Sequence, residues 1–345
     1  MLRTRLCDLL DISVPVVVAP FGPWDETALA VEACRAGALG SLGTALRRPA
    51  ELRAQWQRVR ESTDGPFAVN HTGRPFDPEA FAATLEFAPA AISFHMGVPA
   101  DLVARAHDAG IRWIQSVGDV QAAEAALEAG ADVLVAQGTE AGGNAGWVSS
   151  LVLVPAVVDL AGDVPVVAAG GIADGRGLAA ALTLGAQGAS LGTRFLATTE
   201  MGVDQEWKDR IVAANATDAV KVAHSERVMP PFTLPQIGLP YAPRALRTEL
   251  VSRLERAAET VDPERVAHEL RTRVLAGGGH DLLPFAGQSV QLVHDVVPAG
   301  ELIARLVAEA EEALRTAGRA VTTNPAPRPR VPSSPPRKDP VDQQA

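Results

Sequence analysis

VPVVAAGGIADGRGLAAALTLGAQGASLGTRFLATT, residues 164–199, decides the fold. Residues 164–169 are a short apolar run, β-branched at its start and bounded by Gly170 and Gly171, which suits a strand buried on both faces. Residues 175–184 are rich in Ala and Leu and predict a helix, with Gly185 placed to end it. Residues 187–191 predict a second strand, and Gly192 and Thr193 open the loop after it. The result is a βαβ unit with a glycine turn at both C-terminal strand ends. Glycine lets backbone N–H groups approach a phosphate, since no Cβ intervenes. Two neighbouring loops of this kind form the usual phosphate site of a (β/α)8 barrel. The plainer reading, that these glycines only make tight turns, stands beside it.

Working outward, the same phrase recurs. Residues 14–19, 38–42, 67–70, 91–94, 111–116 and 132–136 predict six earlier strands. Residues 27–36, 51–60, 78–87, 100–109, 120–129 and 152–160 predict the helices between them. Asp77 and Pro78 make a helix start. Ala-Gly or Leu-Gly closes a helix at 36–37, 109–110, 129–130 and 184–185. Alternating helices and strands with few hairpin signals argue for a parallel sheet. Eight strands argue for closure, so the expected fold is an α/β, (β/α)8 TIM barrel. A doubly wound open sheet would call for G-x-G-x-x-G after the first strand, and APFGPWD does not supply it.

Residues 201–280 break the rhythm. They carry more charge and several prolines, and 249–258 and 263–275 predict surface helices. This predicts a helical insertion or lid after strand eight. Residues 300–314 predict an amphipathic helix that completes the barrel wall. The expected division is therefore a barrel of residues 1–200 plus 281–318, a lid of 201–280, and a disordered Pro-rich tail of 319–345.

Composition narrows the function. At 345 residues and 47% hydrophobic content the chain can bury a large core, and with only 4% aromatic residues that core is mostly aliphatic. A net charge of −10 gives nucleic-acid binding no support. Cys7 and Cys34 form no CxxC, which suits a reducing, cytoplasmic setting. Asp8, Asp11 and Pro15 interrupt the signal-peptide-like start, and no apolar run reaches the length of a membrane span. No H-E-x-x-H or similar spacing predicts a metal site.

The loop after strand six reads AQGTEAGGNAG, residues 136–146. Four glycines at a C-terminal strand end make a backbone-lined pocket wall. Asn144 can donate its amide to an anionic oxygen, and Gln137 can hydrogen-bond the edge of a planar ring. The alternative is an ordinary flexible loop.

Taken in order, VVVAPFG (16–22), AVNH (68–71), ISFHMG (92–97), AQGTEAGGNAG, VPVVAAGGIADG (164–175), GASLGTRFLAT (188–198) and FAGQSVQLV (285–293) resemble the nitronate monooxygenase family, formerly 2-nitropropane dioxygenases. The resemblance spans residues 10–315 and implies an FMN-dependent barrel with an added helical portion. It implies that Asn70 and Gln137 contact the isoalloxazine or ribityl region, with Gly142 beside the ring. Gly170 and Gly171, with Ser190, Leu191, Gly192 and Thr193, would cradle the phosphate. Ala19, Pro20 and Phe21 would pack the ring by their backbone, and Gln288 and Ser289 would approach from the C-terminal segment. The partners implied are a small-molecule substrate and O2, and a homodimer is compatible with the resemblance.

One departure matters. The family pattern E-A-G-G-H places His where this chain has Asn144, and that His is the base for a neutral nitroalkane. Asn has no basic lone pair near neutral pH. An alkyl nitronate is already deprotonated, so its oxidation is expected to persist. His71 and His95, at predicted C-terminal strand ends, are the candidate replacement bases, and each could equally be a structural His. His224, His268 and His280 are expected on the surface or lid. The competing functions are an FMN-dependent enoyl reductase using NAD(P)H, a flavin-binding protein that has lost catalysis, and a non-flavin phosphate-binding barrel.

Overall fold

A computed structural model describes residues 2–24, 26–73, 75–228, 241–276, 278–279 and 281–322. The Pro-rich run around Met229 to Pro240, Gly277, His280 and the tail from residue 323 lie outside the described residues.

The barrel strands are β1 (Val16–Val18), β2 (Gly40–Gly43), β3 (Phe67–Thr72), β4 (Ala91–His95), β5 (Arg112–Val117) and β6 (Val133–Gln137). After a short strand outside the barrel, β7 (Gly143–Ala145), come β8 (Val166–Ala169) and β9 (Gly188–Leu191). All eight barrel strands pair in parallel, in the order β1-β9-β8-β6-β5-β4-β3-β2. The ring closes between β1 and β2, where Leu39 N donates to Val16 O and Val18 N to Leu39 O, both at 3.0 Å. The eight predicted strands are the eight observed, each within two residues at its ends. The helix-ending glycines Gly37, Gly110, Gly130 and Gly185 all have positive φ, between 74° and 96°. A side chain would be strained there, which is why the recurring phrase ends in Gly.

Strand parity fixes what faces inward. Val17, Leu39, Ala68, Ala91, Ile114, Val133, Val135, Val167 and Ala169 form one interior cluster. It is sealed from below by Leu6, Cys7 and Leu10 of helix Arg5–Leu10 together with Ile12. Sequence reading missed this plug, whose helix is only six residues long. The other parity, such as Ile92, Phe94 and Trp113, packs outward against the helices. Helix starts gather at the C-terminal end of the barrel. Asp77, Asp119 and Asp174 cap three of them by accepting backbone N–H groups of Glu79 and Ala80, Ala122 and Gly177.

The insertion differs from the expectation of a purely helical lid. It contains helices Gln205–Ala213, Glu249–Ala257 and Pro263–Leu275, and also β10 (Ala219–Lys221) and β11 (Ala242–Leu246). β11 pairs antiparallel with β10 on one side and β7 on the other. The insertion is therefore stitched to the loop after β6 by backbone hydrogen bonds. Arg244, 7% exposed, adds side-chain bonds to Ala219 O (2.6 Å) and Thr139 O (2.9 Å). The last helix, Ala299–Thr322, also runs past the predicted end at 314 and through residues 319–322, which were expected in the disordered tail. Its Glu309 carboxylate accepts Gly175 N at 3.0 Å, and a Cβ on Gly175 would collide with it, so the two helices approach closely there.

Candidate active site

The alternation that packs the interior brings a polar layer to the C-terminal mouth. Two residues beyond Ala68, Ala91, Ile114 and Val135 come Asn70, Ser93, Ser116 and Gln137. On β9, Ala189 and Leu191 belong to the outer core, so Ser190 faces in. Asn70 donates to Ser93 Oγ at 3.0 Å and to Ser93 O at 3.3 Å.

Around this layer five segments interlock. Ala19 N donates to Leu191 O (2.9 Å), which joins the loops after β1 and β9. Gly138 N donates to Ala169 O (2.8 Å), and Ser150 Oγ sits 3.0 Å from Gly170 O, which joins the loops after β6 and β8. The Glu140 carboxylate accepts both Ser150 N (3.0 Å) and Ser150 Oγ (2.9 Å). Gln288 N donates to Glu140 O (2.9 Å) and Gly287 N to Thr193 Oγ1 (2.8 Å), which ties in the segment 286–289. Thus the loops that hold Ala19, Pro20, Phe21, Gly142, Gly170, Gly171, Leu191, Gly192, Thr193, Gln288 and Ser289 are joined into one rim, with Asn70, Gln137 and Ser190 in the layer below. Glu140 and Ser150, the hub of this rim, were not singled out from sequence. The only signal was an acid in a Gly-rich loop ten residues before a helix-opening serine.

Three positions take a more specific form than expected. The Leu191 side chain is 1% exposed in the outer core, so only its backbone reaches the rim. A Cβ on Gly142 would stand 2.7 Å from Ala286 C and Gly287 N, so this glycine serves a backbone-to-backbone approach within the protein. The Thr193 hydroxyl is already an acceptor for Gly287 N.

The phosphate reading can be tested on the glycines. Gly170 and Gly171 have φ of +96° and +76°, so both need glycine for backbone reasons. A Cβ on Gly192 would meet only Ala19 Cβ (3.6 Å) and Phe21 Cε1 (3.8 Å), ordinary van der Waals contacts with the loop after β1. A phosphate with a planar ring system beyond it fits this rim.

At the opposite side of the mouth, His95 and Asn144 lie together. His95 leans on the Asn144 main chain, and burial drives its pKa down to about 4 despite that contact. Its Nε2 is buried without a hydrogen-bond partner, and so is Asn144 Oδ1. The Tyr241 ring stands edge-on to His95, 5.2 Å between centroids. Two orphaned polar atoms at one mouth imply a polar ligand.

His71 is not part of this cluster. The parity of β3 turns it outward, against helix Pro78–Phe87. Its Nε2 lies 2.9 Å from Thr84 Oγ1, and its ring packs edge-on to Phe81. Thr84 gives its own proton to Ala80 O, so the imidazole is the donor. Burial lowers the His71 pKa to about 4. His71 is thus a structural histidine, and the expectation that it reaches the reaction is corrected. His224 and His268 lie on the surface, as expected. Among the described residues there is no cluster of His, Cys, Asp and Glu able to hold a metal, and no helix long and apolar enough to cross a membrane.

Comparison with known proteins now bears on the site. The family profile described as nitronate monooxygenase matches residues 3–86 and 72–309. A (3aS,4S,5R,7aS)-5-hydroxy-7a-methyl-1-oxo-octahydro-1H-indene-4-carboxyl-CoA dehydrogenase of Mycobacterium tuberculosis is 38% identical, over 74% of this chain and 69% of that one. A nitronate monooxygenase of Pseudomonas aeruginosa is 31% identical, over 88% of this chain and 98% of that one. Among solved structures, FabK from Thermotoga maritima superposes with a TM-score of 0.81 at 31% identity, over 93% of this chain and 100% of that one.

Proposed function

The chain belongs to the nitronate monooxygenase family, a family of flavin-dependent oxidoreductases, and from that premise we propose that it is an FMN-dependent enzyme that oxidises alkyl nitronates, or similar small carbanions, with O2. Backbone groups of Gly170, Gly171, Gly192 and Thr193, with the inward Ser190, would hold the phosphate. Asn70 and Gln137 would hydrogen-bond the ribityl or ring edge, while the loops at Ala19 to Phe21 and at Gln288 and Ser289 would pack against the ring. FMN supplies a ring that takes up the substrate's electrons and hands them to O2.

The observation that carries this reading is Asn144 at the mouth beside a buried, neutral His95. Asn144 offers an amide donor to a nitro oxygen and no base. His95, with a pKa near 4, is a weak proton acceptor at neutral pH. An enzyme so equipped acts on a substrate that arrives as an anion. The test is a paired assay of one compound in its two protonation states. Freshly prepared propane nitronate should be turned over, and the neutral nitroalkane should react much more slowly. Equal rates would mean that another base operates, and no reaction with nitronate would remove the proposal.

A second reading is favoured by one observation, the 38% identity to a CoA-thioester dehydrogenase. It holds that the same flavin serves a CoA thioester, exchanging electrons with it, and the enoyl-reductase form of this reading has NAD(P)H supply them. Steady NAD(P)H consumption with an enoyl thioester, absent with nitronate, would select it.

A further inference from the structure

The inserted segment carries a polar group to the mouth that no step above uses. Tyr241 immediately precedes β11 and is the only tyrosine in the chain. Its ring covers His95 edge-on, 5.2 Å between centroids. Its hydroxyl reaches over the end of β5, where a Cβ built on Gly118 would stand 3.5 Å from it. Gly118 and Gly146 approach each other beneath this ring, and a Cβ on Gly118 would lie 3.4 Å from Gly146 Cα. Neither glycine offers a side chain to bond the phenol. Among the described residues the hydroxyl has no hydrogen-bond partner, although burial raises its pKa to about 12. A half-buried tyrosine hydroxyl ordinarily finds one. Two buried polar atoms without partners, His95 Nε2 and the terminal Oδ1 of the Asn144 amide, therefore lie by the Tyr241 ring, and turning that amide over would present its N–H2 donor in place of the oxygen. The three residues come from three separate elements, β4, β7 and the insertion.

Building on the reading that this mouth takes a small carbanion, we propose that Tyr241 contacts the substrate, its phenol O–H donating to the anionic oxygen of a planar nitronate or carboxylate seated beside His95 and Asn144. A phenol that stays protonated at every working pH is a donor to an anion and cannot compete as a second anion. The Asn144 amide and the Tyr241 hydroxyl would then grip the oxygens of one planar group from two sides. Neutral His95 holds the ring of Tyr241 in place. The insertion, which β11 stitches to the loop after β6, thus adds a donor beside His95 and Asn144.

The test uses the full-length flavin-loaded protein, with Tyr241→Phe retaining the ring on His95 and losing only the hydroxyl. The probes are propane nitronate as substrate and 2-methylpropanoate, a planar carboxylate of the same shape, as an unreactive ligand. In the wild type, 2-methylpropanoate should perturb the single tyrosine absorption band and inhibit competitively. In Tyr241→Phe its affinity and the kcat/KM for nitronate should each fall about tenfold to a hundredfold, on the scale of a lost charge-assisted hydrogen bond. FMN affinity and the flavin spectrum should stay unchanged. Unaltered anion affinity in Tyr241→Phe, or a tyrosine band indifferent to the anion, overturns the proposal. Should nitronate not be turned over at all, the carboxylate titration still decides whether Tyr241 binds the anion. The two failures are therefore distinguishable.

Discussion

Asn144 lacks the basic ring nitrogen that proton abstraction needs, and burial holds His95 below the ordinary 6.5; both points are testable. Asn144→His places an imidazole on β7, where the loop is held by β11 and stays put. A positioned base is worth roughly a hundredfold to ten-thousandfold in proton abstraction. Oxidation of neutral nitroalkane by Asn144→His should rise by about that factor at pH 7–8, with nitronate turnover little changed; steady-state oxygen consumption measures both. His71 makes a separate prediction about acid. Its folded pKa lies near 4, below the ordinary 6.5. The unfolded chain therefore binds more protons between those values, and stability is full above pH 6.5 and lost as pH falls toward 4. The slope is about 1.4 kcal/mol per pH unit for each such group, and His95 adds its own share over the same window. Urea denaturation across pH 4–7 should show the decline, and His71→Gln, which keeps a donor for Thr84, should flatten part of it. An unchanged pH slope in that variant would show that His71 is not buried as a neutral ring.

At the scale of elements, the loop after β6 is clamped from both ends. At one end Gly142 and Gly287 pass so closely that a Cβ on either would lie within 2.8 Å of the other's backbone nitrogen. Gly142→Ala should push the 286–289 segment off Thr193 and weaken FMN binding about tenfold or more, since overpacking typically costs about 1–3 kcal/mol. Flavin fluorescence titration reads this directly. At the other end Lys221 donates to Ala145 O (2.6 Å), Gly146 O (2.9 Å) and Ala242 O (3.0 Å), and its ammonium lies 5.1 Å from the Trp147 ring centroid. Lys221→Met keeps the length and removes all three bonds. Hydrogen exchange at residues 143–147 should accelerate, while the barrel strands keep their protection. These elements also show where sequence reading stops. The strands and helices of the barrel were legible because each repeats one local pattern, an apolar run, a glycine and a capped helix. β7, β10 and β11 were not, since each is three to five residues long and its partner lies about a hundred or only twenty residues away. His71 and His95 looked alike as strand-end histidines. Strand parity separates them: Asn70 and Ser93 face in, so the residue after the first turns out and the second residue after the other stays in.

On the scale of the whole molecule, the rim assembles residues as far apart as Ala19 and Ser289 through a few hydrogen bonds between loops. The glycines that open this rim were readable as a pair of turns, but the contacts that bring the C-terminal segment onto them are long-range and leave no local pattern. A ligand that touches the ends of β1, β8 and β9 and the 286–289 segment at once links elements that otherwise meet only at their margins. Binding to the folded state alone stabilises it by RT ln(1 + [L]/Kd), about 2.7 kcal/mol at a hundredfold excess over Kd. For a domain of this size that corresponds to a rise in Tm of roughly 4 °C. The phosphate-gripping reading predicts more than a shift: it predicts which part of the ligand produces it. Riboflavin has the same ring without the phosphate, so it should shift the Tm of the flavin-stripped protein far less than FMN at equal concentration. Gly192→Val, which places a branched side chain against Ala19 and Phe21 at the opening of the loop after β9, should abolish the difference between the two ligands, with the melting of the stripped variant as the control for its own packing. If riboflavin and FMN raise the Tm equally, the two glycine turns do not hold a phosphate, and the rim binds its ligand by the ring alone.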